Sequence, residues 1–302
     1  MTPRPSRTLL SPRELAEAIG VSESSIKRWA DDGALHAVRT TGGHRRIPIE
    51  EAVQFIRVSG QSVVRPEILG IADAVPFTDS IPSQGEGAET LYRLLVEGSE
   101  AGARGFIVSL FLAGWSPSQI IDGPLQEAMS RIGELWKHDS GAIYVEHRAT
   151  DIVVQALSKL RSLIPIPAAD AMRAVGGAPS GDPYILPSLA ASIVLASIGM
   201  RATNLGPETP VETLRHAVDE LSPQVVWISA SAASEPASLR EGILHLADDA
   251  RKRDCSVIVG GRMAQTLTLP PRSNLYAGRS MAELEAFARG LVAHARARSS
   301  IS

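Results

Sequence analysis

Apolar positions along the chain follow three regimes, separated by two proline-bearing interruptions. The first block, residues 1–58, carries Ser11-Pro12-Arg13-Glu14, a capping box with proline in the first turn, which predicts a helix start. Leu15, Ala16 and Ile19 give that helix an apolar face, and Gly20 ends it. Ser22 caps a second short helix whose Ile26 and Trp29 pack back onto the first. Two short helices joined by a tight glycine turn predict a helix-turn-helix. Beyond Gly33, the run Arg39-Thr40-Thr41-Gly42-Gly43-His44-Arg45-Arg46-Ile47 predicts a hairpin, or wing, with positive charge at its tip.

Residues 59–86 contain Pro66, Pro76 and Pro82 with scattered glycine and serine, and read as a mobile or only locally ordered linker. Between residues 87 and 165 the period is helical. Leu91, Leu94, Leu95 and Gly98 share one face, as do Ile107, Leu110, Phe111 and Gly114, while Ile121, Leu125, Met129, Ile132 and Leu135 continue the spacing. Four helices with short turns are expected. Pro165 and Pro167 mark the second interruption. Residues 168–298 then alternate: strands are expected at 171–175, 201–205, 225–229 and 256–259, and helices at 186–198, 211–221 and 237–253. Repeated βα units imply a parallel sheet with ligands at the carboxyl ends of its strands. The predicted fold class is multidomain α and α/β: a winged helix-turn-helix, a four-helix bundle and a Rossmann-like parallel α/β domain.

Composition sharpens this picture at a few points. A chain of 302 residues, 44% apolar and 21% charged, has room for two or three cored domains. The net charge of −3 hides a basic first block carrying Arg4, Arg7, Arg13, Lys27, Arg28, Arg39, Arg45 and Arg46. A single cysteine, Cys255, excludes a disulfide framework and a cysteine-rich zinc centre; ahead of Ser256-Val257-Ile258-Val259 it reads as a buried thiol at a strand start. The first residues are polar and broken by proline, unlike a signal peptide. The longest apolar stretch, residues 186–200, contains Pro187 and is too short to span a bilayer, so a cytoplasmic location away from membranes is expected. A P-loop, a nucleophile motif and metal-ligand spacing are all missing; Gly176-Gly177-Ala178-Pro179-Ser180-Gly181 lacks the Lys-Ser/Thr of a phosphate loop and reads as a turn. An enzyme is not expected.

On the second helix Glu23, Ser24, Ser25, Lys27 and Arg28 face outward. Lysine and arginine suit phosphates, and short polar side chains at a helix start reach base edges. Arg39, Thr41, His44, Arg45 and Arg46 form the wing. Residues 9–57 with this helix, turn and Gly-His-Arg-Arg wing resemble the MerR family of regulators. The resemblance implies a double-stranded DNA operator as partner and binding as a dimer.

Trp136 is followed, after nine residues, by Glu146-His147 inside the expected bundle. Alone, these residues fit core packing and a capped histidine as well as a binding role. With the order of the three domains, they resemble the CarH/LitR group of light-responsive repressors, over nearly the whole chain. That resemblance implies adenosylcobalamin as chromophore, with Trp136, Glu146 and His147 over its upper face. It also implies a loop after the first strand reading acid, any residue, histidine, two residues, glycine, whose histidine ligates cobalt.

Here the loop is Asp182-Pro183-Tyr184-Ile185-Leu186-Pro187: the acid is kept, tyrosine replaces histidine and proline replaces glycine. Neutral imidazole is a good transition-metal ligand, whereas an ordinarily protonated phenol is a poor one. The group's Ser-any-Leu reads Ser229-Ala230-Ser231, and its glycine pair, which admits the buried nucleotide tail, is kept as Gly260-Gly261. Lys137 follows Trp136, which displaces His138 from the position of the cobalt-capping histidine. The resemblance with these departures implies a repressor without histidine-ligated cobalamin. Its C-terminal half would assemble a dimer or tetramer and receive a signal from another ligand or from a separate sensor or photoreceptor protein. Two alternatives stand beside it: a cobalamin light sensor with altered ligation, and a corrinoid-binding relative of enzymes, which the lost histidine disfavours.

Overall fold

The computed structural model describes residues 9–77, 82–135, 142–233 and 235–299. The chain forms two compact units, one built from residues up to Ser116 together with Gly123–Pro165, the other from Pro117–Asp122 together with residues from Ile166 onward.

The first unit opens with strand β1 (Leu9–Leu10) and helix α1 (Pro12–Ile19). The capping box closes as expected: the Glu14 amide donates to Ser11 Oγ at 3.2 Å and the Ser11 amide to the Glu14 carboxylate at 2.6 Å. Gly20, at φ 70°, turns the chain, and Ser22 Oγ accepts the Ser25 amide at 3.1 Å to start α2 (Glu23–Asp31). Ile26 is fully buried between the helices. Strands β2 (Val38–Arg39) and β3 (Arg45–Pro48) form the hairpin, and β3 also pairs with β1, giving an antiparallel sheet of order β1-β3-β2. Helix α3 (Ile49–Ser59), which the pattern reading leaves unnamed, buries Ala52, Val53, Phe55 and Ile56.

Where it is described, the stretch expected to be a loose linker is a strap. The Val64 and Arg65 amides both donate to the Ala18 carbonyl, at 2.8 and 3.0 Å. Two 3-10 turns follow, Pro66–Leu69 and Ala72–Phe77, burying Leu69, Ile71 and Ala74. Such short turns show no helical period, which is why the pattern misses them. Ser83 and Glu86 form a second capping box, so α4 (Gln84–Glu97) begins inside the expected linker. Next comes α5 (Glu100–Leu112). The strap lies directly on it, since a Cβ at Gly105 would stand 1.9 Å from the Asp73 carbonyl oxygen, and Arg104 pairs with Asp73 at 2.7 Å.

A broken segment follows: α6 (Pro117–Ile120), a π turn (Ile121–Leu125) kinked at Gly123, and α7 (Gln126–Leu135). Helix α8 (Ala142–Ser162) completes a bundle of α4, α5, α7 and α8 around Leu91, Leu95, Ile107, Phe111, Ile132, Val153 and Leu157.

The second unit is a doubly wound parallel sheet. Its elements are β4 (Arg173–Gly177), α9 (Ile185–Ser197), β5 (Arg201–Asn204), α10 (Val211–Leu221), β6 (Val225–Ser229), α11 (Pro236–Arg251), β7 (Ser256–Gly260), β8 (Leu275–Ala277) and α12 (Met281–Ser299). The strand order is β5-β4-β6-β7-β8, all parallel. Strand β6 is buried throughout, as a central parallel strand covered on both faces must be. Three strands match expectation within one residue; β4 lies two residues later than expected. The pattern reading omits β8 and α12. Segment 117–122 packs in this unit: the Asp122 carboxylate accepts the Met281 and Ala282 amides, each at 2.8 Å, capping α12, and Ser118 meets Glu285. Among the described residues, no helix is long and apolar enough to cross a membrane.

Candidate nucleic-acid interface and sheet crevice

Helix α2 and the β2–β3 hairpin flank an open groove lined by Ser11, Pro12, Arg13, Glu23, Lys27, Arg39, Gly43, His44, Arg45 and Arg46. The hairpin turn is set by its own hydrogen bonds: the Thr40 amide donates to the His44 carbonyl and the Gly43 amide to the Thr40 carbonyl, both at 2.9 Å, with Gly43 at φ 78°. Thr41 and His44 are exposed there.

Arg45 and Arg46 do not sit at the tip, as expected, but inside β3, registered against Arg39 and Val38. Backbone pairing extends the strand back to Arg45, leaving only residues 40–44 for the turn. Arg45 forms an ion pair with Asp31 at the end of α2 and is largely covered, whereas Arg46 makes no ion pair among the described residues. Arg46 lies near Glu14, whose carboxyl is held below the ordinary range chiefly by the Ser11 amide and hydroxyl, with a smaller push from Arg46.

On α2, Lys27 is tied to Glu23 at 2.7 Å, and Arg28 is exposed. Ser24 and Ser25 hydroxyls share hydrogen bonds with Ser22 Oγ, at 2.8 and 2.9 Å, and still carry unused capacity. Sequence reasoning missed three contributors: Ser11 and Arg13 on the groove wall, and Asp31. The first two sit at a helix start named for capping. The last is linked to Arg45 only through the fold.

In the second unit, the loops after β4, β6 and β7 converge at the switch point, where β4 lies between β5 and β6. Asp182 is fully buried. One carboxylate oxygen accepts the Tyr184 amide at 3.0 Å; the other accepts the amides of Ser231 and Ala232 at 2.5 and 3.0 Å. From the other side, Glu208 accepts the Gly181 amide at 2.7 Å. The loop after β4 is therefore stitched to both its neighbours.

Tyr184 is 43% exposed, with the Arg262 guanidinium 5.2 Å from its ring centroid. Ser229 is buried at the end of β6. Gly261, at φ 92° just after β7, packs against the loop after β6, since a Cβ there would stand 2.3 Å from the Ala230 carbonyl oxygen; Gly260 faces more open space. Below the crevice Trp227 lies over Gly176, its Nε1 donating to Ser188 Oγ at 3.0 Å, and Ser188 donates to Asn204 at 2.7 Å.

Asp182, Tyr184, Ser229, Gly260 and Gly261 thus gather at one edge of the sheet. Glu146, half-buried, and His147, exposed, lie on α8 in the first unit. Trp136 falls outside the described residues. The crevice residues do not fit a cobalt ion ligated by the protein: the loop after β4 offers a phenol at Tyr184, and the neighbouring Asp182 carboxylate is committed to three backbone amides.

Residues 9–59 match the family described as helix-turn-helix domain, and residues 88–161 that described as B12 binding domain. The chain is 26% identical over 261 residues to the HTH-type transcriptional repressor CarA of Myxococcus xanthus, covering 82% of this chain and 85% of that protein. With the repressor CarH of the same organism it shares 24% identity over 266 residues, 83% and 88% of the two chains. Among solved structures, the monomethylamine corrinoid protein of Methanosarcina barkeri aligns with a TM-score of 0.53 at 15% identity, over 69% of this chain and 100% of that one, a likeness of fold.

Proposed function

We propose that this CarA/CarH-like chain, a helix-turn-helix followed by a cobalamin-binding-like half, is a transcriptional repressor that binds a double-stranded DNA operator. The groove beside α2, with Lys27, Arg39, His44, Arg45 and Arg46 around one helix and one hairpin, carries the reading. In it the start of α2 enters the major groove, where Ser24 and Ser25 meet base edges; Lys27, Arg28, Arg39 and Arg46 meet phosphates, and Thr41 and His44 lie along the backbone. The C-terminal half assembles two or four copies on the operator. The signal that releases them comes from a ligand other than histidine-ligated cobalamin, or from a separate sensor protein. The test is fluorescence anisotropy of the full chain on duplexes selected from a random pool, repeated across salt concentrations. Binding whose logarithm falls linearly with the logarithm of salt supports the reading. Failure to select any duplex overturns it.

A second reading, light sensing through adenosylcobalamin with altered ligation, is favoured by the match of residues 88–161 to the B12 binding domain. Incubation with adenosylcobalamin in the dark, followed by gel filtration, separates the two. A co-eluting corrinoid spectrum supports the second reading, and a colourless protein the first.

A further inference from the structure

Arg57, on the last turn of α3, is held at several points at once. Its Nε donates to the Phe111 carbonyl at 2.6 Å, and its Nη2 to the carbonyls of Trp115 at 2.9 Å and Gly114 at 3.4 Å. These carbonyls lie at and beyond the end of α5, where the helix dipole favours a cation; that of Phe111 also accepts the Gly114 amide at 3.1 Å. The guanidinium also stacks 3.7 Å from the centroid of the Phe111 ring. No carboxylate pairs with it among the described residues, and burial lowers its pKa to about 10, so it stays charged at neutral pH. An apolar side chain would seat α3 on α5 without that desolvation. What the planar fork adds is direction: donors to three carbonyls fix the angle at which α3 meets α5.

The same helix touches the recognition helix. Phe55, one turn before the end of α3, packs on Trp29 of α2 with ring centroids 5.0 Å apart. The carbonyls of α5, Arg57, α3, Phe55 and Trp29 therefore form one continuous run of contacts from the bundle to α2.

We propose that Arg57 is a positioning residue that locks the helix-turn-helix head onto the bundle and, through α3, sets the attitude of the recognition helix. The consequence for operator reading rests on the DNA-binding function proposed above; the docking itself does not.

The test uses the full chain with spin labels at Asp32→Cys, exposed at the end of α2, and Arg93→Cys, exposed on α4. Cys255 is buried with its thiol pushed up to about 12 and does not compete for label. Electron–electron distance measurements on the parent should give one narrow distribution. Arg57→Ala should broaden it or add a second population, and Arg57→Lys, which keeps the charge but loses the fork, should broaden it less. A distribution as narrow as the parent's in Arg57→Ala overturns the proposal. Where Arg57→Ala does not fold, Arg57→Lys and Phe111→Leu carry the same test.

On the selected duplex, Arg57→Ala should weaken binding between about two- and thirty-fold with the salt slope of the parent, because this arginine meets no phosphate. A reduced slope, or unchanged affinity beside a broadened distribution, overturns the step from docking to reading. If the parent selects no duplex, the DNA-binding function fails while the distance measurement still decides the docking.

Discussion

The groove beside α2 and the crevice at the carboxyl edge of the parallel sheet are built from the same materials: arginine, short polar side chains and glycine turns. They dispose of their polar groups in opposite ways. In the groove, Arg13, Lys27 and Arg45 are held by carboxylates, but Arg39 and Arg46 make no ion pair among the described residues, and Ser24 and Ser25 keep hydrogen-bonding capacity. In the crevice, Asp182 is spent on three backbone amides, Glu208 on a fourth, Trp227 on Ser188, and Tyr184 stands beside Arg262. A surface that leaves its donors unspent is equipped to meet an external partner. One that consumes them is equipped to hold itself together.

Four measurements break or sharpen that contrast. The largest effect is expected from Trp227→Ala, which empties the space between sheet and α9 and should cost about 3–5 kcal/mol in chemical denaturation. Asp182→Ala should cost about 3 kcal/mol by the same measurement, because it strands three part-buried amides of two loops; a neutral result would mean that the loops are held together by something else. In the groove, Arg46→Ala should leave stability unchanged and lower the salt slope of duplex binding by about 0.9, while Arg45→Ala, already paired with Asp31, should lower it by less than half as much. Equal slopes would erase the distinction between the two arginines.

The smallest effect concerns pH. The Glu14 carboxyl, ordinarily at 4.5, is depressed in the folded chain, so its contribution is present above that value and lost as pH falls through the lower folded one. Glu14 is largely exposed, so Glu14→Gln should flatten the acid side of the stability profile by only a few tenths of a kcal/mol after solvent screening.

The sequence made the helix-turn-helix legible because its signals are local: Ser11 to Glu14, Gly20 and Ser22 act within a turn of one another. The parallel sheet was legible from runs such as Val225–Ser229, which need no partner to be recognised. The strap over residues 59–77 was not, because its buried Leu69, Ile71 and Ala74 fall on and between short 3-10 turns without a period. The broken third segment was read as ordinary helix through Ile121 and Leu125, since a kink at Gly123 leaves the apolar spacing intact. Site residues divided along the same line. Tyr184 and Asp182 could be read from one loop, while the pairing of Arg45 with Asp31 and the seat of Arg57 depend on residues 14 and 54–58 positions away.

Asp122 gives the chain an unusual order of assembly. It caps a helix whose first residue lies 159 positions later, so the cap leaves the ribosome long before the helix it serves. At synthesis rates of about 5–20 residues per second, the six residues 117–122 wait on the order of ten seconds to half a minute for α12. The second unit therefore closes only once α12 has been made. A single protease cut cannot release it whole either, since one of its pieces is enclosed between two stretches of the first unit.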